Sequence, residues 1–272
     1  MRLCMVQILD LPGDFVEPMF SMLKPSFESV LHPDTEVVLK PASGGHPPDH
    51  LHGLDNAYFD FLNKRPVIDA LLEAQREGFD AAWVNCFGDP GVREARCVVE
   101  MPVFGACEST LHFACQLGRK FAIIAANMPG QVALMEDQVR QYGLQERLIV
   151  NGVRTDRTPF DEAWEKGVQD PRLVAASIEE VARECVADGA DVIVIGCCGL
   201  GPLCTLAGFN KVTVSGQDVP VLDAVTIVAK TTEMAADIKR GTGLPIPGRV
   251  RGQALPSQED VERVRAIYGL SS

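Results

Sequence analysis

Two cysteines, Cys86 and Cys197, stand at the same place in a phrase that the chain uses twice. Laying residues 77–91 over 188–202 brings Gly78 onto Gly189, Asp80 onto Asp191, Cys86 onto Cys197 and Gly88 onto Gly199, at an offset of 111 residues. Each copy is an apolar run that ends on a thiol and breaks into a glycine turn. A buried parallel strand delivers a reactive side chain in this way to its carboxyl end, where open α/β sheets bind ligands. Two such units facing each other put two thiols on opposite sides of one cleft. One of them, as thiolate, then removes a proton from an acidic carbon, and the other returns a proton to the opposite face. That chemistry needs neither metal nor organic cofactor if donors hold the intermediate's charge, and amides near Gly88 and Gly199 are the expected donors. After Cys86, Asp89 reads as a helix N-cap and Pro90 as the first helical residue, which would favour thiolate at the neighbouring sulfur. The run Cys198-Gly199-Leu200-Gly201-Pro202 repeats the layout after Cys197.

The elements that must position the thiols follow a βαβ rhythm. Strand-like runs fall at 3–9, 36–40, 81–85, 121–125, 148–153 and 192–196, with short ones near Val103 and Val221. Helical patterns fall between them at 15–30, 58–77, 108–117, 130–142, 171–187 and 222–239. Strands alternating with helices of this length predict parallel sheets flanked by helices. A second echo, Met101-Pro102-Val103-Phe104-Gly105-Ala106 against Val219-Pro220-Val221-Leu222-Asp223-Ala224, follows each cysteine. It comes seven residues later in the second half, which places an insertion around 205–216. The fold class is therefore α/β, with two pseudo-symmetric lobes and a site in the cleft between them. Lobe 1 is expected at 1–107, completed by 221–272, and lobe 2 at 108–220. The stretch 241–256, dense in glycine and proline, predicts an irregular tail before a short amphipathic helix at 258–268.

Bulk properties narrow the partners. A hydrophobic content of 46% and a charged content of 23% describe an ordinary globular chain. The net charge of −12 argues against nucleic acid or an anionic membrane surface and leaves a small-molecule substrate. No apolar run reaches the length of a membrane span, and the opening residues read as a buried strand, not a signal peptide. Nine cysteines without a Cys-x-x-Cys pair indicate free thiols in the reducing cytoplasm. A homo-oligomer is the statistical expectation.

Several motifs carry a resemblance. Asn85-Cys86-Phe87-Gly88-Asp89-Pro90-Gly91, then Pro102-Val103-Phe104-Gly105 with Glu108 and His112, then Gly118-Arg119-Lys120-Phe121, then Gly189-Ala190-Asp191 through Gly196-Cys197-Cys198-Gly199 resemble the aspartate/glutamate/hydantoin racemase superfamily. The hydantoin and allantoin racemases are its most similar branch, and the likeness spans about 55–230. It implies a cofactor-independent racemase or epimerase of hydantoin-type or related amino-acid-derived substrates, with Cys86 and Cys197 as the acid/base pair. The choice of Cys197 over adjacent Cys198 rests on the resemblance and on the internal repeat. Phe87, Gly88, Cys198 and Gly199 are expected to touch the substrate. Gln7 and Asn127 are expected there too, because the segments Gln7–Asp10 and Ala125–Asn127 line the family's pocket and depart here from its Asn-Pro-Asn-Thr-like turn and its paired threonines. Those departures leave open a cysteine-dependent cis–trans isomerase of a maleate-like diacid, a related decarboxylase, or a non-catalytic two-lobed binding protein.

Other candidates read as structural. His46, His50 and His52, with Asp49 or Asp55, fit a solvated lid better than a metal site. Glu108 and His112, four residues apart, suggest a structural pair near the hinge, and Arg93 and Arg96 suggest surface ion pairs.

Overall fold

The structure is a computed structural model that describes residues 1–51 and 56–270. Its two sheets grow from the apolar runs seen in the sequence. In the first, β1 (Arg2–Leu9), β2 (Glu36–His46), β3 (Ala81–Val84) and β4 (Val103–Gly105) lie in the order β2-β1-β3-β4, all parallel. In the second, β5 (Phe121–Asn127), β6 (Leu148–Pro159), β7 (Val192–Gly196), β8 (Lys211–Val214) and β9 (Gln217–Asp223) take the order β6-β5-β7-β9-β8. Among the described residues only the β8–β9 pair is antiparallel. Cys86 follows β3 and Cys197 follows β7. Each of these strands pairs with the first strand of its own sheet, and this equivalence is what the repeated phrase encodes.

Helices cover the faces. α1 (Gly13–Leu23), α2 (Pro25–Glu28), α3 (Ala57–Arg76), the single turn α4 (Val92–Ala95) and α5 (Ala106–Leu117) belong to the first half. α6 (Gln131–Gln141), α7 (Phe160–Gln169), α8 (Pro171–Ala187) and α9 (Leu200–Leu206) belong to the second, and α10 (Ala224–Thr242) returns to pack on α5 and β3. Alternation along β5 and β7 splits the second sheet's side chains between two cores. Ile123, Ala125, Val192 and Val194 join the cluster with α5 and α10, whereas Ala122, Ile124, Ile193 and Ile195 join the one under α8.

Several elements differ from the expectations, among them β6, which runs six residues past 153 to Pro159. The helix expected at 15–30 is two helices, because Pro25 cannot donate the bond that would continue α1. β2 runs on past the expected 40 to His46 through a register shift opposite Gln7 and Leu9, so His46 is buried in the strand and not part of a solvated lid. α7 was absent from the expected set. The seven-residue insertion is the β8–β9 hairpin, turned by Ser215 and Gly216 at φ 51° and 77°, the positive pair a tight hairpin requires. β9 also crosses the expected boundary at 221. Val221, Leu222 and Asp223 pair with Ile193, Val194 and Ile195, so pairing keeps residues through 223 with the second sheet. Among the described residues no helix is long and apolar enough to cross a membrane.

The C-terminal tail packs on the first lobe. Arg249 donates to the carbonyls of Arg96 and Val99, Cys97 Sγ lies 3.2 Å from the Gly252 carbonyl, and Arg265 pairs with Asp69 at 2.7 Å from α11 (Gln258–Ile267).

Candidate active site

Both cysteine turns are built alike. The Gly88 N–H donates to Cys86 Sγ and the Gly199 N–H to Cys197 Sγ, each at 3.4 Å. The amides expected to hold an oxyanion are thus aimed at the sulfurs themselves. A Cβ built on Gly196, just before Cys197, would lie 3.5 Å from Phe87, just after Cys86, so the two turns face each other closely. Between the lobes lies a cavity of about 940 Å³ into which both thiols open. Gln7, Phe87, Gly88, Cys198 and Gly199 line it as expected positions. Asn127 does not. Its neighbours Ala126 and Met128 reach the cavity, and strand alternation sends Asn127 the other way.

Electrostatics around the thiols run against the helix-terminus expectation. Burial pushes the Cys86 thiol up to about 12; the Gly88 N–H opposes this, while Asp60, Asp89 and Cys197 add to it. Burial also raises the Cys197 thiol, opposed by the N–H groups of Leu200 and Gly199. The helix after Cys86 is only the single turn α4, and its N-cap is Gly91, not Asp89. Asp89 instead sits at φ 49° and turns its carboxylate away to cap α5, accepting from the Cys107 N–H at 2.9 Å and the Glu108 N–H at 2.8 Å. Tyr142 Oη donates to the same carboxylate at 2.7 Å. Burial pushes the Asp89 carboxyl up to about 7, against the pull of the three bonds it accepts.

The second lobe makes the same joint with the residues exchanged. Asp223, at the end of β9, caps α10 by accepting from the Val225 N–H at 2.9 Å and takes the Thr205 hydroxyl at 2.9 Å. In the first lobe the carboxylate comes from the cysteine turn and lies over Gly105, where a built Cβ would fall 2.3 Å from the Asp89 carboxyl carbon. In the second it comes from the strand end and lies over Gly201 of α9, where a Cβ would fall 2.5 Å from Asp223 Oδ1. Each glycine is required by close approach of the opposing carboxylate.

Other candidates resolve as follows. Arg96 is mostly buried and pairs with both oxygens of Glu108 at 3.2 and 2.6 Å while donating to the Val103 carbonyl, so it is an internal tie and not a surface pair. His112 Nδ1 lies 2.7 Å from the Glu108 backbone carbonyl oxygen, while the Glu108 carboxylate goes to Arg96, so the expected side-chain pair between Glu108 and His112 does not form. Arg93 is exposed at the cavity wall. His46 is buried at the end of β2, with Nε2 2.7 Å from the His50 carbonyl oxygen, and Pro48 and Leu51 help line the cavity. His52 and Asp55 lie outside the described residues. Among the described residues no group of three or more His, Cys, Asp or Glu is arranged to hold a metal ion.

Three contributions escaped sequence reasoning. Phe160, Trp164 and Val168 of α7 form an apolar wall, and their spacing of four residues after Pro159 was a readable helical signal. Asn85, buried at the end of β3, borders the cavity, and its shielded Oδ1 has no donor among the described residues. Gln253 reaches the cavity from the tail, which nothing local in the sequence foretells.

Sequence comparison decides the lineage. The profile of the Asp/Glu/hydantoin racemase family matches residues 41–232. The chain belongs to that family. Among its relatives, hydantoin racemases of Rhizobium meliloti and Pseudomonas sp. strain NS671 are 31% and 30% identical to it over 216 and 194 residues. These alignments cover 78% and 70% of this chain and 83% and 71% of theirs. Allantoin racemase from Klebsiella pneumoniae superposes with a TM-score of 0.73 at 20% identity, covering 95% of this chain and 94% of its own. The Pseudomonas fluorescens allantoin racemase gives 0.70 at 23%, covering 94% and 97%. At those identities the two structures speak for the fold, and they share the two-lobed α/β plan. This chain is accordingly a racemase. Its residues beyond 232, with most of α10 and the tail that brings Gln253 to the cavity, extend past the matched profile.

Proposed function

We propose that this racemase inverts the acidic carbon of 5-substituted hydantoins or closely related cyclic ureides, with Cys86 and Cys197 as its two proton carriers. The observation that carries the reading is the matched pair of turns, each aiming the N–H two residues on at its own thiol across one cavity. In one direction the Cys197 thiolate takes the proton from the ring carbon, and the electron pair passes into the adjacent carbonyl as an enolate. The Cys86 S–H then gives its proton to the opposite face, leaving Cys86 as thiolate and Cys197 as thiol. The reverse direction exchanges the roles. The Gly199 N–H, bonded to Cys197 Sγ, supports Cys197 over Cys198 for this part.

One feature supports a cyclic ureide over a dicarboxylate. The apolar part of the cavity lining, which includes Leu11, Met19, Met22, Phe160 and Trp164, suits a bulky apolar substituent more than a second carboxylate. Proton NMR in deuterium oxide tests the reading directly. Single enantiomers of benzyl- and isobutyl-hydantoin should lose the ring-carbon proton as optical rotation decays. Conversion of maleate to fumarate, with the hydantoins untouched, would replace this proposal with the isomerase.

The pH dependence has a defined sign. Catalysis needs one thiolate and one thiol, and burial raises both groups above the ordinary 9.0. kcat/KM, corrected for ionisation of the substrate, should therefore rise about tenfold per pH unit through the neutral range. It should bend only above pH 9 and fall as Cys86 also ionises toward about 12. A plateau between pH 6 and 8 would show that neither raised thiol is the base.

A further inference from the structure

The turn that carries Cys86 is held from the other lobe. α6 follows the first strand of the second sheet and packs on β5 and β6, yet its polar side chains reach across the cleft. Gln138 Nε2 donates to the Gly88 carbonyl, and Tyr142, immediately after α6, donates through Oη to Asp89 at 2.7 Å. Both acceptors lie within three residues of Cys86. Gly88 also supplies the N–H that meets Cys86 Sγ. Gln138 therefore fixes, through the carbonyl of Gly88, the same residue whose amide meets the sulfur.

The turn needs such support. Asp89 is not glycine, yet it holds φ at 49°, in the left-handed region that L side chains disfavour by about 1–2 kcal/mol. Its carboxylate is anchored to the start of α5 by two backbone N–H groups, and Tyr142 is the third donor. The Tyr142 ring is itself braced edge-on against His112, with centroids 6.3 Å apart, and His112 is tied to the Glu108 carbonyl.

We propose that Gln138 and Tyr142 are positioning residues for Cys86: a latch from the second lobe that holds the turn carrying the first lobe's thiol. The proposal rests on Cys86 being a proton carrier, so its test reads the thiol independently of turnover.

Tyr142→Phe removes one oxygen, and Gln138→Met removes one donor at similar length. For each variant, the alkylation rates of Cys86 and Cys197 by iodoacetamide are measured by peptide mass spectrometry, alongside kcat and KM on the preferred hydantoin. A loosened turn frees the half-buried sulfur from its fixed place beside the Gly88 N–H, so Cys86 should label about fivefold faster or more, with Cys197 unchanged. kcat should fall about ten- to a hundredfold, the scale expected for a misplaced reacting group, with KM within about twofold. Unchanged Cys86 labelling, equal acceleration at both cysteines, or a rise in KM at constant kcat would overturn the latch. Selective Cys86 labelling in a protein that racemises no hydantoin would leave the latch standing and remove the functional reading instead. Thermal melts of both variants separate the latch from general unfolding, which would accelerate both cysteines together.

Discussion

Replacement of Cys86 or of Cys197 by serine should each reduce racemisation by about a thousandfold or more, with the melting temperature nearly unchanged. A hydroxyl keeps the shape of the side chain but ionises far less readily than a thiol, and burial that already pushes Cys86 up to about 12 would suppress an alkoxide further. The two thiols act as one unit, so the double variant should be little worse than either single one. The singles should nonetheless differ from each other. Each retains the base for one face only, so slow exchange of the ring-carbon proton with solvent, without inversion, should persist for opposite enantiomers in the two variants. Polarimetry and proton NMR together read both quantities. A Cys197→Ser variant that still racemises while Cys198→Ser does not would move the second role to Cys198, whose thiol is also in the cavity wall.

The largest structural penalty from one added methyl group is expected at Gly105. A Cβ there would stand 2.3 Å from the carboxyl carbon of Asp89 and 2.4 and 2.6 Å from its oxygens, far inside contact distance. The carboxylate cannot retreat without lengthening its bonds to the Cys107 and Glu108 N–H groups and to Tyr142. Gly105→Ala combines overpacking with loosened bonds to a buried acceptor, each costing about 1–3 kcal/mol, so a loss of about 3 kcal/mol is expected in urea denaturation. Gly78→Ala is the matched control. Its φ is 77°, but nothing lies within 4 Å of the added atom, so only backbone strain of about 1 kcal/mol remains. Equal losses in the two variants would show that the Asp89 joint contributes nothing beyond local strain.

Much of the framework could be read from residue patterns because parallel strands buried on both faces write themselves as unbroken apolar runs. β1, β3, β5 and β7 lie within a residue or two of the expected runs, and Cys86 and Cys197 sit at the strand ends where the repeat placed them. What escaped was set by contacts distant in sequence. Nothing near Asp89 reveals that its carboxylate caps a helix beginning at Ala106, so the adjacent Pro90 pointed to the wrong helix. Arg96 carries the same charge as a surface residue, and only the proximity of Glu108 and Val103 draws it inside. Asn127 failed for a simpler reason: the expected segment was right to within a residue, and a one-residue shift in a strand selects the opposite face. α7 was the avoidable omission, since its apolar spacing lay in plain view.

The exchanged aspartate and glycine also constrain how the two halves can change over time. Overlaid position by position, Asp89 falls on Leu200 and Gly105 on Asp223, and both read as simple mismatches although the joint itself is kept. Neither half can adopt the other's arrangement by one substitution. Introducing aspartate at Gly105 first would crowd two carboxylates into one space, and removing Asp89 first would leave the start of α5 uncapped. Gly201, the residue under Asp223, falls on Pro90, so passage between the two solutions demands changes at three overlaid pairs or a spell of weakened folding. The two halves are thus held on separate mutational islands, and selection for a folded chain has no easy way to erase the difference at these six positions.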